Sequence, residues 1–158
     1  MKWKKVQGKV EWELIFIFAG GLGAGTIMSG SGAVENIATA VSKAGMKGGF
    51  IMVFFIITLT LLLSDVTSNT ATAAVAIPIV ISIAQGISEN PIPYVYIASI
   101  GVNLSFMLPT SIRAIPVGYG LKPKYMFNEG WKISVIIIVL MTILSYGMLQ
   151  YWPAFSAI

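Results

Sequence analysis

The chain has 158 residues, of which 56% are apolar and only 10% are charged, with a net charge of +4. A soluble domain carries roughly 25% charged residues, so this composition excludes a water-soluble globule and predicts that lipid surrounds much of the chain. Because the sequence contains neither cysteine nor histidine, thiol nucleophiles, thiolate metal sites and the commonest general base are excluded, and we expect no enzyme. The basic residues lie in short groups between apolar runs, a pattern that indicates membrane topology rather than binding to nucleic acid.

The first 47 residues predict one spanning helix and one interfacial helix. Residues 1–13 include four lysines and are expected to form a basic cytoplasmic segment without a cleavable signal peptide. Residues 14–32 approach the ~20 apolar residues that cross a bilayer, and their glycine-rich second half favours close packing against other helices. Residues 33–47 mix polar and apolar side chains in an amphipathic pattern, which is typical of a helix lying in the membrane interface.

The next region consists of two apolar arms, 49–64 and 71–86, on either side of a polar run from Ser64 to Thr70. As helices, the arms would each be about 24 Å long, which is short for a full crossing. One interpretation is a re-entrant hairpin over residues 49–86, with its polar tip near mid-membrane against protein or a water-filled cavity. The other is two short ordinary spans joined by a polar loop.

Residues 91–120 predict a third, broken span. Pro109 and Pro116 each lack a backbone donor, so we expect the helix between them to be unwound, with free carbonyls. Secondary transporters bind ions at such discontinuities, although a proline kink that only shapes packing is the alternative. Residues 133–152 predict a plain final span that ends in interfacial aromatic residues.

Lysines predict the orientation of these elements. Both the N-terminal segment and the group Lys122, Lys124 and Lys132 are expected on the cytoplasmic side. The C-terminus and the mouth of any hairpin are then expected outside. This argument does not separate a hairpin from two spans, because both give an even number of crossings.

The hairpin tip resembles the Ser-Asn-Thr signature of the divalent anion/sodium symporters, in the run Ser68-Asn69-Thr70-Ala71-Thr72-Ala73-Ala74 followed by Ala76-Ile77-Pro78. Members of that family transport dicarboxylates, citrate or sulfate and contain two inverted repeats, and this chain is similar to the second, C-terminal repeat over essentially its whole length. The resemblance implies an all-α membrane protein that is half of an inverted-repeat secondary transporter. It implies three spanning helices, one interfacial helix, a re-entrant helical hairpin and a broken helix, and it favours the hairpin over two spans.

The tip residues are candidates for binding the substrate. Ser68, Asn69 and Thr70 offer neutral hydrogen-bond donors, and the positive end of a following helix would point at the same place. These residue types are also good helix N-caps, so capping is an alternative or additional role. The resemblance further makes sodium a candidate coupling ion, with proton coupling and exchange as open alternatives, and Ser64, Thr67, Asn69 and Ser111 as candidate ligands; it implies no other cofactor.

Arg113 departs from the family pattern, which has Thr-Pro followed by Asn-Ala where this chain has residues 110–114. An arginine within the membrane normally faces a polar cavity or a carboxylate. Three interpretations are open: Arg113 binds the substrate anion, it replaces a bound sodium ion as a permanent positive charge, or it pairs with Asp65.

Two functions follow from these patterns. The first is cation-coupled or exchange transport of divalent organic or inorganic anions across the plasma membrane, by a half-transporter subunit or fragment. Its site would be completed by an N-terminal-half chain or by a homodimer. The second is a non-transporting membrane assembly or regulatory subunit, although such a protein would gain nothing from polar groups within the membrane.

Overall fold

The computed structural model describes residues 49–152 continuously, with the backbone alone at 111 and 112. It also describes residues 12, 15–16, 19–20, 23, 26–27, 30–32, 36, 39–40, 43 and 155. The predicted basic segment 1–13, span 14–32 and interfacial helix 33–47 therefore fall largely outside the described residues. Within the described part of the chain, all regular structure is helical, which confirms the predicted all-α class.

The continuous part contains five α-helices and one 3₁₀ helix. These are α1 (Gly49–Val66), α2 (Asn69–Gly86), α3 (Pro91–Gly101), the 3₁₀ helix (Ser111–Ala114), α4 (Ile115–Gly118) and α5 (Pro123–Tyr151). Three of them, α1, α2 and α5, are long and apolar enough to cross a membrane.

Helices α1 and α2 form the predicted hairpin, connected only by Thr67 and Ser68. Each is 18 residues long, or about 27 Å, so both extend further into the polar run than the predicted arms did. Polar residues of that run can lie at the ends of the two helices because other segments form hydrogen bonds with them. That the hairpin is re-entrant stays a prediction, because helices of this length are also long enough to cross the membrane.

The break in the third span lies earlier than predicted. Helix α3 ends at Gly101, and residues 102–110 are not helical, whereas the chain between Pro109 and Pro116 forms the 3₁₀ helix and the start of α4. The expectation that this stretch is unwound is therefore wrong. Proline disfavours helix in the residue before it but is tolerated in the first turn of a helix, where Pro116 lies in α4. We call residues 102–110 the unwound segment.

The final helix begins at Pro123 rather than at residue 133. Charged residues end the apolar run without ending the helix: Lys132 and Glu129 are exposed on α5 and form an ion pair at 3.1 Å. The last helical residue, Tyr151, agrees with the prediction to within one position.

Helix α1 is central and packs against α2, α3 and α5. The buried face of α5 consists mainly of small residues spaced three or four apart, namely Gly130, Ser134, Ile138, Thr142 and Ser145. Small residues allow membrane helices to approach closely. The other side of α5 exposes large apolar residues, including Ile136, Val139, Leu140 and Ile143, as expected of a surface that faces lipid.

Helices α1 and α5 are antiparallel. The ring of Tyr146, near the end of α5, packs edge-on against Phe50 at the start of α1, with centroids 5.7 Å apart. At the other end, a Cβ at Gly130 would lie 2.9 Å from the Cα of Met107, and the amide of Met107 donates to Asp65 near the end of α1. The hairpin tip therefore lies alongside Gly130, and about 10 Å of α5 extends beyond that level.

Candidate functional site

Ser68 is the second of the two residues in the turn between α1 and α2. Its backbone is extended and its hydroxyl oxygen accepts a hydrogen bond from the amide of Ala71 at 3.2 Å, so Ser68 is the N-cap of α2. This bond confirms the capping role. It uses the oxygen as an acceptor and leaves the O–H of Ser68 as a donor.

Side-chain hydrogen bonds dock the tip onto the unwound segment. The buried hydroxyl of Ser64 lies 2.6 Å from the carbonyl oxygen of Val102 and 2.8 Å from Oδ1 of Asn69. The amide of Asn69 in turn donates to Oδ1 of Asn103 at 3.1 Å, and the hydroxyl of Ser105 donates to Ser64 at 3.1 Å. The tip thus has a fixed position relative to the unwound segment.

The C-terminal end of α1 faces Arg113. The last carbonyls of a helix have no partner within the helix and form its negative end. Here the Ser64 carbonyl accepts from Nη2 of Arg113 at 2.7 Å, and the Asp65 carbonyl accepts from the hydroxyl of Thr110 at 3.0 Å. The last residue of the unwound segment, Thr110, and the nearby Arg113 therefore cap the C-terminal end of α1.

Asp65 anchors the same region through its side chain, which is only 2% exposed. Its Oδ1 accepts from the amides of Met107 at 2.9 Å and Leu108 at 3.4 Å, and from Nη1 of Arg113 at 3.3 Å. Its Oδ2 is buried and has no hydrogen-bond partner among the described residues. The pairing of Arg113 with Asp65, one of the three interpretations of Arg113, is present in the structure.

Arg113 uses all of its hydrogen-bonding capacity within the protein. Its guanidinium has five N–H groups. They meet Oδ1 of Asp65, the carbonyl and hydroxyl of Thr110, the carbonyl of Ser64 and the hydroxyl of Ser105. In this conformation no N–H of Arg113 is left for a substrate anion, so direct anion binding by Arg113 stays a prediction that would require some of these bonds to break.

The predicted substrate residues lie together at the tip. Ser68 and Asn69 are half-buried and Thr70 is exposed. Of the predicted cation ligands, Ser64 and Asn69 are in direct contact. Thr67 is directed elsewhere: its hydroxyl donates to the Leu63 carbonyl at 2.9 Å and contacts that of Thr72 at 2.5 Å. The side chain of Ser111 lies outside the described residues.

Sequence reasoning missed three residues that build this region, Asn103, Ser105 and Thr110. The sequence feature that could have identified them is their polar side chains within an apolar stretch. On a lipid-facing helix these side chains would have no hydrogen-bond partners. At the other end of the hairpin, a cavity of about 160 Å³ is lined by residues that include Glu89, Tyr94 and Tyr146. That cavity is separate from the tip.

Comparison with known proteins places these features in a family. A family model described as citrate transporter matches residues 1–101. An uncharacterized transporter of Haemophilus influenzae is 32% identical over 95% of this chain and 33% of its own length. A sodium-dependent dicarboxylate transporter of Staphylococcus saprophyticus is 27% identical over 90% of this chain and 28% of its length. Solute carrier family 13 member 2 of Homo sapiens is 27% identical over 99% of this chain and 26% of its own length.

These matches confirm the resemblance to the divalent anion/sodium symporters, and the proteins concerned are transporters, not enzymes. The chain spans between 26% and 33% of the length of these three relatives. Together with three helices able to cross a membrane, the match over residues 1–101 of 158 shows that the chain is an integral membrane protein and belongs to the citrate transporter family.

Proposed function

We propose that this chain forms one repeat of a secondary transporter for divalent anions, with dicarboxylates as the first candidates. The observation that carries the proposal is the docking of a polar hairpin tip onto an unwound segment between apolar helices. Discontinuous helices of this kind form the binding sites of secondary transporters. Two relatives, a sodium-dependent dicarboxylate transporter and a member of solute carrier family 13, support the same class.

The chemistry of the tip suits an anion that must be bound and released. Ser68 and Asn69 each keep a donor after their protein contacts: the O–H of Ser68, and the second N–H of the Asn69 amide. Thr70 is exposed beside them and carries a further hydroxyl. These neutral donors lie at the positive end of α2. An anion would therefore be attracted without a fixed opposite charge that could trap it.

A second part of the protein is required to close the site. The tip offers donors from one side, and the chain spans about a quarter to a third of the length of its relatives. In this proposal, a matching first repeat or a second copy of the chain supplies the opposing surface. The similarity to a sodium-dependent transporter supports sodium coupling.

The proposal includes a re-entrant hairpin and an orientation in the plasma membrane. Helix α5 continues past the level of the tip, which supports a hairpin that ends short of the opposite surface. The mouth of the hairpin and the end of α5 lie together, because Tyr146 packs on Phe50. Both are proposed to be outside, with Lys122, Lys124 and the N-terminus in the cytoplasm.

Uptake of radiolabelled succinate into proteoliposomes tests the proposal. A monomer of this chain should give no uptake above empty vesicles, whereas co-reconstitution with a chain that supplies a matching first repeat, or assembly with a second copy, should restore it. Robust uptake by a monomer of this chain would contradict the requirement for a second part. Lack of uptake of any dicarboxylate, citrate or sulfate by the complete assembly would contradict the transport function and favour the non-transporting subunit.

A pair of variants then separates substrate contact from tip docking. Asn69→Ala and Asn103→Ala both remove the bond between these two side chains, but only Asn69 carries a donor that we assign to the anion. A hydrogen bond to a charged ligand contributes about 1.5 to 3 kcal/mol, so Asn69→Ala should weaken binding at least about tenfold. Equal losses in the two variants would show that Asn69 acts only through docking.

A further inference from the structure

The guanidinium of Arg113 lies inside a cage of protein oxygens. The contacts are to two backbone carbonyls, those of Ser64 at 2.7 Å and Thr110 at 3.3 Å, and to Oδ1 of Asp65 at 3.3 Å. Two hydroxyls complete the cage, that of Thr110 at 2.8 Å and that of Ser105. Two segments, the end of α1 and the unwound segment, therefore supply the oxygens around one cationic group, and the 3₁₀ helix bears that group.

These oxygens are of the kind that bind a hard cation. Carboxylate, carbonyl and hydroxyl oxygens are the usual ligands of such ions, and carbonyls at helix ends and in unwound segments bind the coupling ions of transporters. The cage contains one carboxylate, that of Asp65, and the negative end of α1. Its charge therefore matches a monovalent cation.

A second observation shows that the guanidinium does not exhaust this site. The side chain of Asp65 is only 2% exposed. Its Oδ2 atom is fully buried and has no hydrogen-bond partner among the described residues. A buried carboxylate oxygen without a partner is costly. A small ion could approach both oxygens of Asp65, which the planar guanidinium does not do here.

We infer that Arg113 is a tethered cation that permanently occupies a monovalent cation site formed by Ser64, Asp65, Ser105 and Thr110. The site is thereby closed to exchangeable ions, and removal of the arginine side chain opens it to sodium. One consequence depends on the proposed function: this repeat would require one exchangeable coupling cation fewer than the same repeat with a neutral residue at 113. The occupancy of the cage itself does not depend on transport.

Thermal unfolding of the reconstituted protein tests the inference without any transport assay. The melting temperature is measured in sodium, potassium and choline chloride at equal ionic strength. The native protein should melt at the same temperature in all three salts. Arg113→Ala should melt at a lower temperature in choline and rise saturably with sodium. At a sodium concentration 100 times its dissociation constant, the unfolded fraction should fall about 100-fold.

Controls separate a specific site from a general effect of lost charge. Lys132→Ala removes a cation from an exposed ion pair and should gain no sodium dependence. The double variant Arg113→Ala with Asp65→Asn removes the carboxylate of the cage and should also gain none. Arg113→Gln retains more of the side-chain volume and replaces Arg113→Ala if the latter does not fold in any salt.

The inference is overturned if neither Arg113→Ala nor Arg113→Gln is stabilised by sodium over choline, or if the double variant responds as strongly as Arg113→Ala. A sodium response of Arg113→Ala, together with a lack of anion uptake by the complete assembly, would support the cage and contradict only the proposed function.

Discussion

Removal of one partner of the ion pair between Asp65 and Arg113 should be among the most destabilising changes to the polar interactions of this fold. The two side chains are only 2% and 13% exposed, so removing one partner leaves the other charge buried. Breaking such a pair costs about 3–5 kcal/mol, whereas replacing both partners by neutral groups is often nearly neutral. Asp65→Asn and Arg113→Gln should therefore each lower the free energy of unfolding by about 3–5 kcal/mol, and the double variant should lose much less than their sum.

The chain contains a matched control. Lys132 and Glu129 form an ion pair at a similar distance, but their side chains are 53% and 47% exposed. An exposed pair contributes about 0–1 kcal/mol, so Lys132→Gln and Glu129→Gln should have small, additive effects. Equilibrium unfolding in detergent, followed by circular dichroism in choline chloride, compares the native protein with all six variants, including both double variants, without sodium. Additive losses for the buried pair, or losses as small as those of the exposed pair, would refute the assignment.

Two further predictions concern packing and orientation. Gly130→Ala places a Cβ against the backbone of the unwound segment and should cost about 1–3 kcal/mol through overpacking. A Cβ at Gly147 on the same helix meets open space, so Gly147→Ala should be neutral or stabilising by up to about 1 kcal/mol. Equal changes in melting temperature for the two variants would contradict the close approach of α5 to the unwound segment. Because the sequence contains no cysteine, single cysteines report sidedness: Glu89→Cys should react with an impermeant maleimide in intact cells, and Lys124→Cys only after permeabilisation. The opposite labelling would reverse the proposed orientation.

The elements of the fold were largely predictable because they depend on local properties. Apolar runs and a polar interruption predict α1, α2 and their turn, and the capping of α2 follows from Ser68 before an alanine-rich run. Helix α5 begins ten residues before the predicted start at residue 133. An apolar run shows which part of a helix lies in lipid, but the backbone hydrogen bonds of the helix can continue beyond that part. The prediction of a break between the two prolines is wrong because proline breaks a helix only beyond its first turn, and Pro116 lies in the first turn of α4.

The contacts of the candidate site were only partly predictable. Asp65 and Arg113 are charged residues in apolar surroundings, and this is enough to propose that they pair. That the guanidinium also meets Ser105, Thr110 and the carbonyl of Ser64 depends on how the unwound segment folds back onto α1. No periodicity in the sequence encodes that path. The role of Asn103 in holding Asn69 was missed for the same reason.

Uptake by two variants of Ser68 tests most directly whether the hairpin tip binds the anion. Aspartate is as good an N-cap as serine, whereas alanine loses the cap at a cost of about 1 kcal/mol. Measured in the complete transporter, Ser68→Asp should therefore keep the stability of the native protein but abolish dicarboxylate uptake, because a negative charge at the tip repels the substrate. Ser68→Ala should be less stable yet retain measurable uptake. Native rates of uptake in Ser68→Asp would contradict the assignment of the tip as the anion site.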